Sequence, residues 1–143
     1  MGKLRHVAVV VRDLEAATQF YEKIFDMKRA FEVKNTAVYL SDGVMNLALL
    51  NYDTVNRPGS KTADGRVGIH HLGFRVEDMK ATQAQIEEAG GQYCFDLGDP
   101  DGMNFERKFR DPEGAIFDIS EKGWYGALDE AAAPAPRKLP EKV

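Results

Sequence analysis

Cysteine is nearly absent from this 143-residue chain. Cys94 stands alone, so no disulfide can close within the chain and a disulfide-stapled secreted scaffold is excluded. Histidine is almost as scarce, with His6, His70 and His71 the full set. No apolar run approaches the roughly 18 residues that a membrane-spanning helix needs. An excess of positive charge is also missing: 19 Lys and Arg stand against 23 Asp and Glu, for a net charge of -4. With no basic block on any expected element, nucleic acid is an unsuitable partner. The first residues run into a short apolar stretch without the features of a signal peptide, so the expected location is the cytoplasm.

The chain has the makings of one core. Its 43% hydrophobic and 29% charged residues fall within the ordinary globular range, and its length suits a single domain rather than two large ones. That domain is expected over 1–128. Residues 129–143 combine three consecutive alanines, three prolines and scattered charge, which reads as a flexible tail.

The sequence is written twice. Residues 6–14 read His-Val-Ala-Val-Val-Val-Arg-Asp-Leu and residues 71–79 read His-Leu-Gly-Phe-Arg-Val-Glu-Asp-Met. In each, a histidine opens a strand-like run, and Asp13 or Asp78 is placed to cap the helix that follows. Leu14, Ala17, Phe20, Tyr21, Ile24 and Phe25 repeat at helical spacing, as do Met79, Thr82, Ile86 and Ala89 more weakly. Strand character returns over 28–33, 36–41 and 44–50, then over 92–96, 105–109 and 115–120. Both halves therefore read β-α-β-β-β, an α+β pattern, with module 1 at about 4–52 and module 2 at about 69–124. The polar, glycine-containing stretch 53–68 is expected to link them, and 97–104 to form a loop.

Alternation along the strands sorts side chains by face. Val7, Val9 and Val11 form one bulky set and Leu72, Phe74 and Val76 another, which should pack on the helices. His6 and His71 then point to the opposite side, as does Asp118 on the last strand, while His70 is directed away from it. Arg75 shares the His71 face and could neutralise an anionic substrate group. Glu106 and Lys108 alternate with Phe105, Arg107 and Phe109, and either set could line the histidine side. Tyr39, Tyr93, Phe95 and Trp124 could form an aromatic wall there, although core or edge positions explain them as simply.

A histidine opening each module, and an Asp-Pro-Glu-Gly turn at 111–114 leading to Asp118, resemble the vicinal oxygen chelate superfamily of glyoxalases, bleomycin-resistance proteins and extradiol dioxygenases. The resemblance covers about residues 4–124. It implies two modules forming a curved, cupped mixed sheet, helices outside, around a divalent metal held by His6, His71 and Asp118. Asp118 stands where the family usually has glutamate. A further family position, a glutamate in glyoxalase I, falls near Ala48, which cannot ligate. The remaining two histidines and one carboxylate resemble the Fe(II) centre of ring-cleaving dioxygenases, with Mn, Ni or Zn as other candidate ions. The expected substrate is a small molecule with vicinal oxygens, and the expected assembly a homodimer. A metal-dependent isomerase or lyase with Glu106 as base is the alternative. A non-catalytic, drug-sequestering protein is a third reading.

Overall fold

A computed structural model gives the fold, and the residues it describes are 2–127. The expected tail, 129–143, lies outside them. Module 1 comprises β1 (Lys3–Val11), α1 (Leu14–Phe25), β2 (Lys28–Val33), β3 (Ala37–Ser41) and β4 (Asn46–Asn51). A short helix, α2 (Tyr52–Val55), begins the connection between the modules. Module 2 repeats the order with β5 (Gly68–Arg75), α3 (Met79–Glu88), β6 (Gln92–Leu97), β7 (Glu106–Arg110) and β8 (Ile116–Ser120).

Local chemistry explains the element ends. Asp13 Oδ1 accepts from the Ala16 amide at 3.0 Å and Asp78 Oδ1 from the Ala81 amide at 2.9 Å, so both expected caps form. Each is worth about 1 kcal/mol to its helix. Gly90, at φ 95°, turns the chain out of α3 in a conformation that residues with a Cβ resist. In the Asp-Pro-Glu-Gly turn, Asp111 Oδ1 accepts from the Glu113 and Ala115 amides, both at 2.9 Å. That turn sets the entry of β8.

All eight strands join one curled mixed sheet in the order β2-β3-β4-β1-β5-β8-β7-β6. Within each module the first strand runs parallel to the last, β1 with β4 and β5 with β8. The modules meet where β1 pairs antiparallel with β5. That pairing decides a point the sequence leaves open: the cup closes within one chain. It also lays the two histidine-bearing strands side by side.

The helix-side faces are those that alternation assigns. Val9, Val11, Val38, Leu40 and Leu49 pack with Leu14, Ala17 and Tyr21 of α1, while Val76, Phe109 and Ile119 pack with Met79 and Ile86 of α3. Phe20, Ile24 and Phe25 differ from expectation, for they are 54–61% exposed. The apolar stripe on α1 is wider than the strip of sheet beneath it. Among the described residues, no helix is long and apolar enough to cross a membrane.

Candidate metal centre

Four strands each send a buried side chain to the inside of the cup: His6 from β1, His71 from β5, Glu106 from β7 and Asp118 from β8. One donor atom from each lies within 4.8 Å of all the others. His6 Nε2 is 3.2 Å from His71 Nε2, and His71 Nε2 is 3.0 Å from Asp118 Oδ2. From His6 Nε2 it is 3.8 Å to Glu106 Oε1 and 4.0 Å to Asp118 Oδ2. The three residues expected to hold a metal are thus together. Ala48 is fully buried and offers no donor, but Glu106 brings a further carboxylate from β7.

Hydrogen bonds around the two imidazoles bear on where their protons sit. Asn46 Nδ2 donates to the Tyr125 carbonyl at 2.8 Å, which turns Asn46 Oδ1 toward His6 Nδ1 at 2.7 Å. His6 must therefore donate through Nδ1. His70 Nε2 lies 2.7 Å from the Thr62 carbonyl, where it can only donate. His70 Nδ1 lies 2.7 Å from His71 Nδ1, and in the tautomer in which His71 donates there its Nε2 is free to ligate. Both Nε2 atoms then have lone pairs, facing each other and Asp118.

A divalent cation among these atoms would be met by lone pairs from every side. Burial disfavours protonation of either ring most strongly, holding His6 below its usual pKa despite the nearby Glu106. His71 lies well below its usual value, again through burial first and then the Lys108 charge. Neutral imidazoles beside carboxylates are a donor set that suits a divalent transition-metal ion. The residues fit such a group.

Lys108 shares the site. Its ammonium donates to Asp118 Oδ1 at 2.8 Å and Oδ2 at 3.0 Å, and lies 3.2 Å from Glu106 Oε2. Burial pulls its pKa down, but the two carboxylates outweigh burial and the net shift is upward. Glu106 is held on its other oxygen by Trp124 Nε1, which donates to Oε1 at 2.6 Å. The same indole stacks on His6 at 4.6 Å between ring centroids, tilted by only 5°.

Room for this stack comes from Gly73. A Cβ there would stand 2.7 Å from Trp124 Cζ2 and 2.8 Å from His6 Cβ and Cδ2. Gly73→Ala is expected to destabilise the protein by about 1–3 kcal/mol through overpacking, read as a lower thermal midpoint. An unchanged midpoint would show that the indole can shift without cost.

The sequence-derived positions fare unequally. Glu106 and Lys108 face the cup, because Arg107 reaches the other side and pairs with Asp96 at 2.8 Å. Alternation directs His70 away from the site, and the structure corrects this. The β1–β5 register steps from Ala8↔His71 to Val9↔Ile69, leaving His70 as the extra residue of a bulge that brings its ring to His71. Arg75 is engaged elsewhere: its Nε donates to the Glu121 carbonyl at 3.1 Å and its stem lies against Gly123. Tyr93 is 46% exposed and meets Phe109 on the helix side. Asn46 was missed, although a polar residue set between Val44-Met45 and the apolar run Leu47-Ala48-Leu49-Leu50 was a usable signal.

A cavity of about 410 Å³ leads from the site to solvent, with Tyr39, His71 and Lys108 among its inner residues. Leu50, Val55, Phe95 and Leu97 supply apolar wall, Arg57 and Lys61 lie on the inter-module connection, and no Asp or Glu lines it. Burial pushes the Tyr39 hydroxyl up to about 12, with Glu106 adding to the rise, so it stays protonated and able to donate. A larger cavity of about 640 Å³ is bounded by Leu72, Phe74 and Phe117 from the helix side. It shares His71 but not Lys108 or Tyr39, so the smaller cavity is the approach to the cluster.

Comparison with known proteins agrees with the geometry. The sequence profile of the Glyoxalase/Bleomycin resistance protein/Dioxygenase superfamily matches residues 3–119. A protein described as Glyoxylase I 4 of Arabidopsis thaliana is 25% identical over 123 residues, covering 83% of this chain and 70% of its own length. An ethylmalonyl-CoA/methylmalonyl-CoA epimerase of Cereibacter sphaeroides is 28% identical over 99 residues, covering 64% of this chain and 74% of its own. Among solved structures, a Mn(II)-bound glyoxalase from Novosphingobium aromaticivorans superposes with a TM-score of 0.65 at 20% identity, over 91% of this chain and 43% of that one. A Streptomyces coelicolor methylmalonyl-CoA epimerase in complex with 2-nitronate-propionyl-CoA superposes with a TM-score of 0.61 at 19% identity, over 82% and 94%. At those identities the structural matches speak for the fold.

Proposed function

The chain belongs to the glyoxalase/bleomycin resistance protein/dioxygenase superfamily, and from that premise we propose that it is a metal-dependent enzyme moving a proton on a small molecule with two neighbouring oxygens. The reaction class is isomerisation, epimerisation or elimination. One observation carries the reading: the Nε2 atoms of His6 and His71 converge with Asp118 beside a further buried carboxylate, Glu106. Ring-opening by dioxygen has no need of that extra carboxylate, whereas proton transfer does.

In this reading His6, His71 and Asp118 hold the ion, with Asn46 and His70 orienting the two imidazoles. A divalent ion bound there supplies a Lewis acid that makes a proton beside the two substrate oxygens more acidic. Glu106 receives that proton on Oε2, which Lys108 approaches at 3.2 Å, since Trp124 holds Oε1. Tyr39 donates from the cavity side toward a substrate oxygen. The cavity lining, cationic at Arg57 and Lys61, apolar at Leu50, Val55, Phe95 and Leu97, and free of acids, suits an organic anion. Mn(II) is the first ion to try, given the Mn(II)-bound glyoxalase of the same fold, with Fe(II), Ni(II) and Zn(II) beside it.

A second reading is extradiol-type ring cleavage, favoured by the two-histidine, one-carboxylate subset of the cluster. Metal-loaded protein incubated in deuterium oxide with methylmalonyl-CoA, and separately with a catechol, under air and under argon, distinguishes the two. Oxygen-independent uptake of deuterium at the carbon beside the carbonyl is expected. Catechol cleavage that needs air, without deuterium uptake, would overturn the proton-transfer reading in favour of the second.

A further inference from the structure

Lys108 is the group that this chemistry does not call for. Its side chain is 5% exposed, and its three ammonium hydrogens are matched by Asp118 Oδ1, Asp118 Oδ2 and Glu106 Oε2. The site therefore contains a cation of its own. It engages both carboxylates but neither histidine, whose Nε2 atoms meet each other at 3.2 Å.

An ion held by His6, His71 and Asp118 would occupy the space that their donor atoms enclose. The ammonium, 2.8 and 3.0 Å from the Asp118 oxygens, would then be left close to a doubly charged neighbour in a buried site. Two like charges at such range, shielded from water, repel strongly. Charge balance points the same way. Two carboxylates against one ammonium leave the cluster with a single negative charge, and a divalent ion added to all three would make it positive.

Resting on the metal-dependent reading above, we propose that Lys108 is an internal counter-ion of the metal site, holding Asp118 and Glu106 when no metal is bound and swinging out as metal enters. It already lines the 410 Å³ cavity, so its exit leads toward the substrate side of the cup. There a lysine would meet the anionic part of a substrate. Metal binding and substrate recognition are coupled through one side chain.

The test is metal affinity, measured with the full-length protein by competition against a chromogenic chelator for Mn(II) and Zn(II). Lys108→Met removes the competing charge and is expected to tighten binding on the order of tenfold or more. Metal is also expected to raise its thermal midpoint further than that of the wild type, from a lower metal-free start. Lys108→Arg, permanently charged and larger, is expected to weaken binding, and it keeps the test alive should the methionine variant fail to fold. Equal affinities in wild type and K108M, or in wild type and K108R, overturn the counter-ion role while leaving the metal reading standing. Binding by K108M alone would overturn the swing, and the metal reading of the wild type with it, because Lys108 would then fill the site permanently. No binding by any of the three proteins overturns the metal reading itself, and this inference with it.

Discussion

Replacing Asp118 by asparagine is expected to lower the thermal midpoint on the order of 10 °C and to weaken divalent-metal binding about a hundredfold or more. Both effects come from one fully buried carboxylate serving two cations at different times. In the metal-free protein, Asp118 takes two hydrogen bonds from Lys108, whose remaining partner is Glu106 at 3.2 Å. Breaking one side of a buried ion pair costs about 3–5 kcal/mol, because the surviving charge is left in a medium that cannot solvate it. Glu106 stays in place, so the lower end of that range applies. At roughly 3–5 °C for each kcal/mol in a chain of this size, the shift is read easily by calorimetry.

The metal effect is separate. Altering a residue that only orients a ligand typically costs about 10–100-fold in affinity, so removing a charged ligand should cost more. A double variant, Asp118→Asn with Lys108→Met, is expected to regain stability because no orphaned ammonium is left, but not metal affinity. Additive stability losses in that cycle would mean that the Lys108–Asp118 pair is not the source of the cost. Metal affinity unchanged by D118N would remove Asp118 from the ligand set.

What the sequence made legible follows from period-two alternation. Once His6 and His71 take equivalent places in repeated strands, each the fourth residue of its strand rather than the first, and the bulky residues occupy the alternate positions, the histidines must share the other face, and Asp118 follows by the same rule. The caps at Asp13 and Asp78, and the Asp111 turn, are local chemistry and read directly. His70 was misassigned because alternation presumes an unbroken ladder. The bulge opposite Ala8 and Val9 arises from pairing between the modules, which no local spacing encodes. Glu106 and Lys108 could not be placed for a different reason. β7 carries charge on both faces, and it takes the contacts themselves, Arg107 with Asp96 on the helix side and Lys108 with Asp118 in the cup, to show which set turns inward. Trp124 lies outside the regular elements, so its stack on His6 depends on how the chain returns after β8. The exposed Phe20, Ile24 and Phe25 show the limit of helical periodicity as a guide to burial, since it reports an apolar stripe but not the width of what covers it.

Glu106→Gln is expected to slow turnover about 100- to 10,000-fold while leaving the metal content and the thermal midpoint close to those of the wild type. The substitution keeps the side-chain shape and an oxygen for Trp124 Nε1 to meet, so the indole and its stack on His6 have reason to persist. Lys108 loses its 3.2 Å contact but retains both shorter bonds to Asp118. What disappears is the capacity to accept a proton, and general-base catalysis by a positioned carboxylate contributes about that much rate. The decisive measurement is solvent deuterium exchange at the substrate carbon, set beside metal analysis of the same sample. Loss of exchange with metal retained assigns Glu106 to proton transfer. Loss of metal in parallel with exchange would instead make Glu106 a ligand, and the base would have to be sought elsewhere in the cup. Exchange that survives in E106Q would show that the carboxylate serves only to hold Lys108, and the proton-transfer reading would lose its residue.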